Sequence, residues 1–168
     1  MARPIRSVEE FLAHALAIER EAVERYAEFE AWFADHGEPV LAGLCAAIAR
    51  EERRHLAGIE RAAVGLRLPV LQEGDHGWLE HGSPEAPARE IFYRLVTTRQ
   101  LLEVALQGER NALGFFEWVA STGVGDDLRR LAGGYAREEE QHVRWLRDAL
   151  EYRPSTRINW DEVLDHQD

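Results

Sequence analysis

A glutamate three residues ahead of a histidine on one helix puts a carboxylate and an imidazole on the same face, one turn apart, where both can bind a single metal ion. The chain contains this arrangement twice: Ala49-Arg50-Glu51-Glu52-x-x-His55 returns 87 residues later as Ala136-Arg137-Glu138-Glu139-x-x-His142. A second pair of segments repeats at nearly the same offset. Ala15-Leu16-x-x-Glu19-Arg20-x-Ala22, followed by Tyr26, returns 90 residues on as Ala105-Leu106-x-x-Glu109-Arg110-x-Ala112, followed by Phe116. Two matches in the same order and at nearly one offset point to a duplicated helical hairpin.

The repeated glutamates lie on apolar stripes. Glu19 shares a helical row with Ala15, Ala22 and Tyr26, and Glu109 with Ala105, Ala112 and Phe116. Glu52 and His55 continue the row Leu41, Leu44, Ile48 toward Ile59, and Glu139 and His142 continue Leu128, Leu131, Tyr135 toward Leu146. A carboxylate in a dry core costs several kcal/mol unless it is neutralised or bound to a cation, and four together also repel one another. Arg20, Arg50, Arg53, Arg110 and Arg137 fall off these stripes and the chain has no lysine, which leaves a metal as the compensating charge. Four glutamates and two histidines make the ligand set of ferritin-like di-iron and di-manganese bundles. Tyr26 and Tyr135 either fill the core or hydrogen-bond a ligand carboxylate. His14, His36, His76, His81 and His166 lack a matching partner and read as surface or loop residues, and Cys45 reads as inert core.

Four long stretches of helical periodicity must position these groups, and no comparable period-2 alternation occurs, so the fold class is all-α. The first runs from about Ser7, opening the capping box Ser7-Val8-Glu9-Glu10, to His36 before Gly37; the second runs from Pro39 to Gly65 and buries Leu41, Leu44, Ile48, Ile59 and Ala62. The third, from roughly Pro87 to Ser121, buries Ile91, Leu95, Leu102, Ala105, Ala112, Phe116 and Val119; the fourth runs from Asp126 to Tyr152. Short links make two antiparallel hairpins, and residues 66–86 form a long crossover: about 20 residues reach ~66 Å when extended, whereas a 25-residue helix is ~38 Å long. The expected architecture is a ferritin-like four-helix bundle over residues 1–152, with 153–168 a tail carrying a short docking helix. Around a turn near residue 37, Glu19 lies 18 residues back and Glu52 and His55 lie 15 and 18 on; around residue 124, Glu109 lies 15 back and Glu139 and His142 lie 15 and 18 on. The levels agree to about one turn, ~5 Å, which predicts one dinuclear site at mid-bundle.

Composition excludes other roles. The chain has 168 residues with 31 Asp plus Glu against 20 Lys plus Arg, a formal charge of −11, so neither nucleic acid nor an anionic membrane surface is an expected partner. One cysteine rules out an internal disulfide and a four-cysteine metal knot, and fits a reducing compartment. Without a signal-like h-region or a run of ~18 apolar residues, the expected location is cytoplasmic.

These residues resemble the rubrerythrin-like and bacterioferritin-like branch of the ferritin-like superfamily over about residues 10–150. The resemblance rests on Glu19 with Tyr26 seven residues on, Glu52-x-x-His55, Glu109, and Glu139-x-x-His142 followed by Val143-Arg144-Trp145-Leu146. It implies two irons, with Glu52 and Glu139 between them, Glu19 and His55 on one and Glu109 and His142 on the other. Bacterioferritins hold haem through a methionine next to the first Glu-x-x-His glutamate; Arg53 stands there, so haem is not expected. Rubrerythrins carry a cysteine-rich electron-transfer domain and an extra glutamate one turn past the third-helix ligand; the domain is absent here and the position is Ala112.

The leading expectation is a non-haem di-iron oxidoreductase, a peroxidase or ferroxidase reacting two ions with peroxide or O2 and drawing on an external electron donor. Manganese fits the same ligands. The alternatives are an iron storage or buffering protein of ferritin type and a non-catalytic metal-binding bundle. A homo-oligomer is expected, with a dimer favoured.

Overall fold

Ser7 holds an extended backbone (φ −141°, ψ 160°) and its side chain accepts the N–H of Glu10 at 3.1 Å, which satisfies one of the free donors that open a helix. The reciprocal half of the expected capping box is displaced by one residue, because the Glu10 carboxylate accepts the N–H of Arg6 at 2.9 Å rather than that of Ser7. From this start the computed structural model, which describes residues 4–71 and 97–151, runs through four helices. They are α1 (Val8–Asp35), α2 (Pro39–Ala62), α3 (Thr98–Thr122) and α4 (Asp126–Glu151), with no strand among the described residues.

The α1–α2 turn is tight. Gly37 takes φ +74°, a left-handed conformation that a glycine reaches without steric cost, and Pro39 then occupies the first turn of α2, where its missing N–H is not needed. α1 packs along α2 and α3 along α4, with a smaller contact between α1 and α3, so the molecule is a four-helix bundle built of two hairpins.

α3 begins later than its periodicity suggests. Thr97 is extended and its hydroxyl accepts the N–H of Gln100 at 3.3 Å, while the Gln100 side chain accepts the N–H of Thr97 at 2.9 Å. This reciprocal cap starts the helix at Thr98, not Pro87; Ile91 and Leu95 lie outside the described residues. Thr97→Ala is expected to cost about 1 kcal/mol in a denaturant titration, and unchanged stability would show that the cap does not set this boundary. Ala62 is a second correction: at the frayed end of α2 it is exposed rather than core. Most of the crossover and the whole tail after Glu151 also lie outside the described residues.

The apolar core divides in two. One cluster gathers Tyr26, Phe29, Phe33, Leu44, Ile48, Leu102 and Leu146, and the other Phe11, Leu12, Ile18, Ile59, Phe116 and Leu128. Along every helix the repeated acidic residues fall between the two clusters: between Ile18 and Tyr26 on α1, Ala49 and Ile59 on α2, Leu106 and Ala112 on α3, and Ala136 and Val143 on α4. A polar layer thus crosses an otherwise dry bundle at mid-height, and no described helix is long and apolar enough to cross a membrane.

Candidate metal centre

Each helix contributes to that layer from the stripe that packs inward. Glu19 is 0% exposed, Glu52 1%, and Glu109, Glu139 and His142 2% each. His55 is less enclosed, with 10% of its side chain accessible. The six side chains fall into two overlapping groups, Glu19, Glu52, His55 and Glu139 in one and Glu52, Glu109, Glu139 and His142 in the other, each offering ligand atoms within 4.8 Å of one another. Glu52 and Glu139 belong to both. Opposite ligand atoms around an ion with bonds of about 2 Å stand roughly 4 Å apart, so a modest inward shift closes either group on a cation.

His142 Nδ1 lies 2.9 Å from Glu52 Oε1, 3.3 Å from Glu109 Oε2 and 3.6 Å from Glu139 Oε2. His55 Nδ1 lies 3.4 Å from Glu52 Oε2 and 3.7 Å from Glu19 Oε2, and the two imidazoles stack at 5.6 Å. The Tyr26 hydroxyl donates to Glu109 Oε1 at 2.5 Å. Tyr135 behaves differently: its ring packs on Phe116 at 5.4 Å and edge-on to His55 at 6.5 Å, and it donates to none of the four carboxylates.

These groups fit a cation better than they fit one another. Both oxygens of Glu19 and Nδ1 of His55 are buried without a hydrogen-bond partner, a state that costs about 1–3 kcal/mol for each unmet group and more for a charge. Burial, and then the charge of Glu52, push the Glu19 and Glu139 carboxyls well above the usual carboxylate range. Burial is the largest influence on Glu52 and raises it, but His142, His55 and Glu19 together outweigh burial and hold that carboxyl well below its ordinary value; His142 is raised in turn, against its own burial, by Glu52 with Glu109 and Glu139. Burial and then Glu109 push the Tyr26 hydroxyl up, and burial and then Glu19 push Tyr135 to about 12, so both phenols stay protonated donors.

The signs of these shifts define a pH dependence. Glu19, Glu139 and His142 bind protons more tightly folded than unfolded, so their contribution to stability is present at low pH and fades as pH rises through their raised values. That of Glu52 is lost only in strong acid. The metal-free protein is therefore expected to melt at a lower temperature at about pH 8.5 than at about pH 5.5, and added divalent metal, which competes with those protons, is expected to reverse the trend. Melting curves in chelator that do not vary over this window would contradict the assignment.

One residue stands elsewhere than the sequence suggested. His14 is buried, 4% exposed, with its ring 5.6 Å from Phe115, because it follows Phe11 by three residues on the inward side of α1. His36 is exposed and stacks on Trp32; His76, His81 and His166 lie outside the described residues. Arg20, Arg50, Arg53, Arg110 and Arg137 are exposed. Arg25, however, runs into the interior. It pairs with Glu21 at 2.9 Å and its guanidinium rests on Gly108, where any Cβ would collide with it. The row Ile18, Ala22, Arg25, Phe29 was the available signal, together with a glycine beside Glu109 that leaves room for the guanidinium.

A family model for rubrerythrin matches residues 10–150, and the chain belongs to the rubrerythrin family. A solved structure of an uncharacterized conserved protein from Magnetospirillum magnetotacticum MS-1 is similar at 29% identity with a TM-score of 0.74, covering 89% of this chain and 99% of that one. No curated protein matches the chain. Family, fold and the buried carboxylate–histidine layer together define a candidate di-iron protein.

Proposed function

We propose that the chain is a redox-active di-iron protein whose bundle core binds two ions through Glu19, Glu52, His55, Glu109, Glu139 and His142, and that its substrate is peroxide or O2. The observation that carries this reading is a layer of four buried carboxylates with two imidazoles, in which the oxygens of two glutamates, Glu19 and Glu52, have no hydrogen-bond partner. When bound, a ferrous pair supplies two electrons together, with which one peroxide and two protons become two waters. The residues of the chain do the rest. Hard carboxylates favour the oxidised pair and imidazoles retain the reduced one. The Tyr26 hydroxyl fixes the orientation of Glu109, and two apolar clusters keep bulk water away above and below.

A cleft of about 1170 Å³ lies between α2 and α4, and His55, His142, Tyr135 and Trp145 reach its wall. His55 Nε2 stands 3.4 Å from Glu138, which is half exposed, so a small oxidant passes one surface side chain before reaching the imidazole edge. The single buried cysteine, Cys45, has its thiol pushed up by burial and offers no second redox group, so reducing equivalents come from an external donor.

The test is anaerobic loading with ferrous iron followed by substoichiometric peroxide. One peroxide consumed for each pair of irons supports the proposal. Bound iron that leaves peroxide untouched would favour a metal-holding bundle without turnover.

A further inference from the structure

The duplication that builds the centre is broken beside its outer carboxylates. A shift of 90 residues maps Glu19 onto Glu109, but it maps Arg25 and Tyr26 onto Phe115 and Phe116, and Ile18 onto Gly108. The consequences are visible on both sides. Glu109 accepts the Tyr26 hydroxyl at 2.5 Å, and the adjacent Gly108 makes room for the Arg25 guanidinium; Arg25, Glu109 and Glu19 all line a small cavity of about 30 Å³ there. At the equivalent place in the other repeat, Phe115 and Phe116 contribute rings to an apolar cluster with Phe11, and Glu19 is left with both oxygens buried and without a donor.

We propose that the two metal positions are filled in order, the Glu19–His55 position first and tightly, the Glu109–His142 position second and more weakly. The inference rests on the dinuclear reading above and adds an asymmetry to it. Glu109 is compensated without metal. An ion arriving there shares the carboxylate with the Tyr26 hydroxyl and meets the nearby guanidinium of Arg25, which is 15% exposed and paired with Glu21. Glu19 has no hydrogen-bond donor and only the His55 imidazole beside it, Nδ1 to Oε2 3.7 Å, so an ion there removes a penalty that the fold leaves largely unrelieved. Both histidines line the cleft, but His55 is the more accessible, 10% against 2%, and its Nδ1 has two carboxylates at 3.4 and 3.7 Å, whereas His142 Nδ1 is held among three within 3.6 Å. Arg25 is thus a positioning residue that weakens the second step, and the second position is the one whose occupancy responds to metal supply.

The metal-free full-length chain titrated with cobalt(II), followed by calorimetry and visible absorption, tests this. Two steps differing at least about tenfold in affinity are expected. His55→Ala should remove the tight step and His142→Ala the weak one. Arg25→Met should bring the weak step toward the tight one, and Gly108→Ala should do the same by evicting the flexible end of Arg25 while keeping its charge in the chain. Two indistinguishable steps in the unaltered protein would overturn the proposal, as would loss of the tight step in His142→Ala, or a gap unchanged in both Arg25→Met and Gly108→Ala. Dinuclear binding would stand in those cases, whereas failure to bind cobalt at all would remove both readings.

Discussion

Glu52→Ala and Glu139→Ala are each expected to abolish dinuclear metal binding and to lower peroxide consumption by at least about 100-fold, an effect larger than that of any other single substitution at the centre. These two carboxylates are the members common to both ligand groups, so removing either takes a ligand from both positions at once. Loss of Glu19 or Glu109 takes a ligand from one. Glu52→Ala has a further consequence, because Glu52 Oε1 lies 2.9 Å from His142 Nδ1 and is the chief influence holding that imidazole protonated in the metal-free core. Glu52→Gln keeps the volume and separates the loss of charge from the loss of packing. Metal analysis and peroxide assays on the three variants, with circular dichroism to confirm helicity, make the measurement; two ions retained per chain in either alanine variant would contradict the ligand assignment.

Replacing Glu19 with methionine is expected to stabilise the metal-free protein by about 1–4 kcal/mol while removing its tight metal position. Glu19 is fully buried, its oxygens find no hydrogen-bond donor, and its neighbours in the layer are the carboxylates of Glu52 and Glu139 and the His55 imidazole, 3.7 Å away. Methionine has similar reach and adapts to irregular space, so the exchange removes a polar penalty without opening a cavity. Such a gain translates to roughly 2–4 °C in melting temperature per kcal/mol for a chain of this size. The same exchange at Glu109 should destabilise, since it strips the acceptor from the buried Tyr26 hydroxyl and leaves Arg25 facing an apolar side chain. A chain that keeps four mutually repelling carboxylates at mid-core gives up stability to hold a cation. A Glu19→Met protein less stable than its parent would mean that this carboxylate is already compensated in the fold.

Periodicity alone made the layer legible. Glu19 and Glu109 could be placed inward because alanines and aromatics recur at three- and four-residue spacing around them, and counting from the two turns set all six residues at one level. What escaped depended on neighbours from another helix. Arg25 reads as one more charged residue on a Glu-rich helix until Gly108 of α3 is known to lie opposite it. His14 looks like a surface histidine until Phe115 covers it. The start of α3 was missed for a different reason: apolar residues continue the helical rhythm upstream, and only the local hydrogen bonds of Thr97 and Gln100 override it. Tyr26 and Tyr135 were equivalent candidates on their own stripes, and the depth of each ring separates them, one reaching a carboxylate and the other packing on the wall of the cleft.

Elemental analysis of the protein purified from iron-replete cells, or reconstituted anaerobically with ferrous iron, reads the occupancy of the buried layer. Two metal ions per chain are expected, retained through gel filtration and lost in Glu52→Ala. A well-folded chain that holds no metal at all, with the four buried glutamates intact, would contradict that expectation.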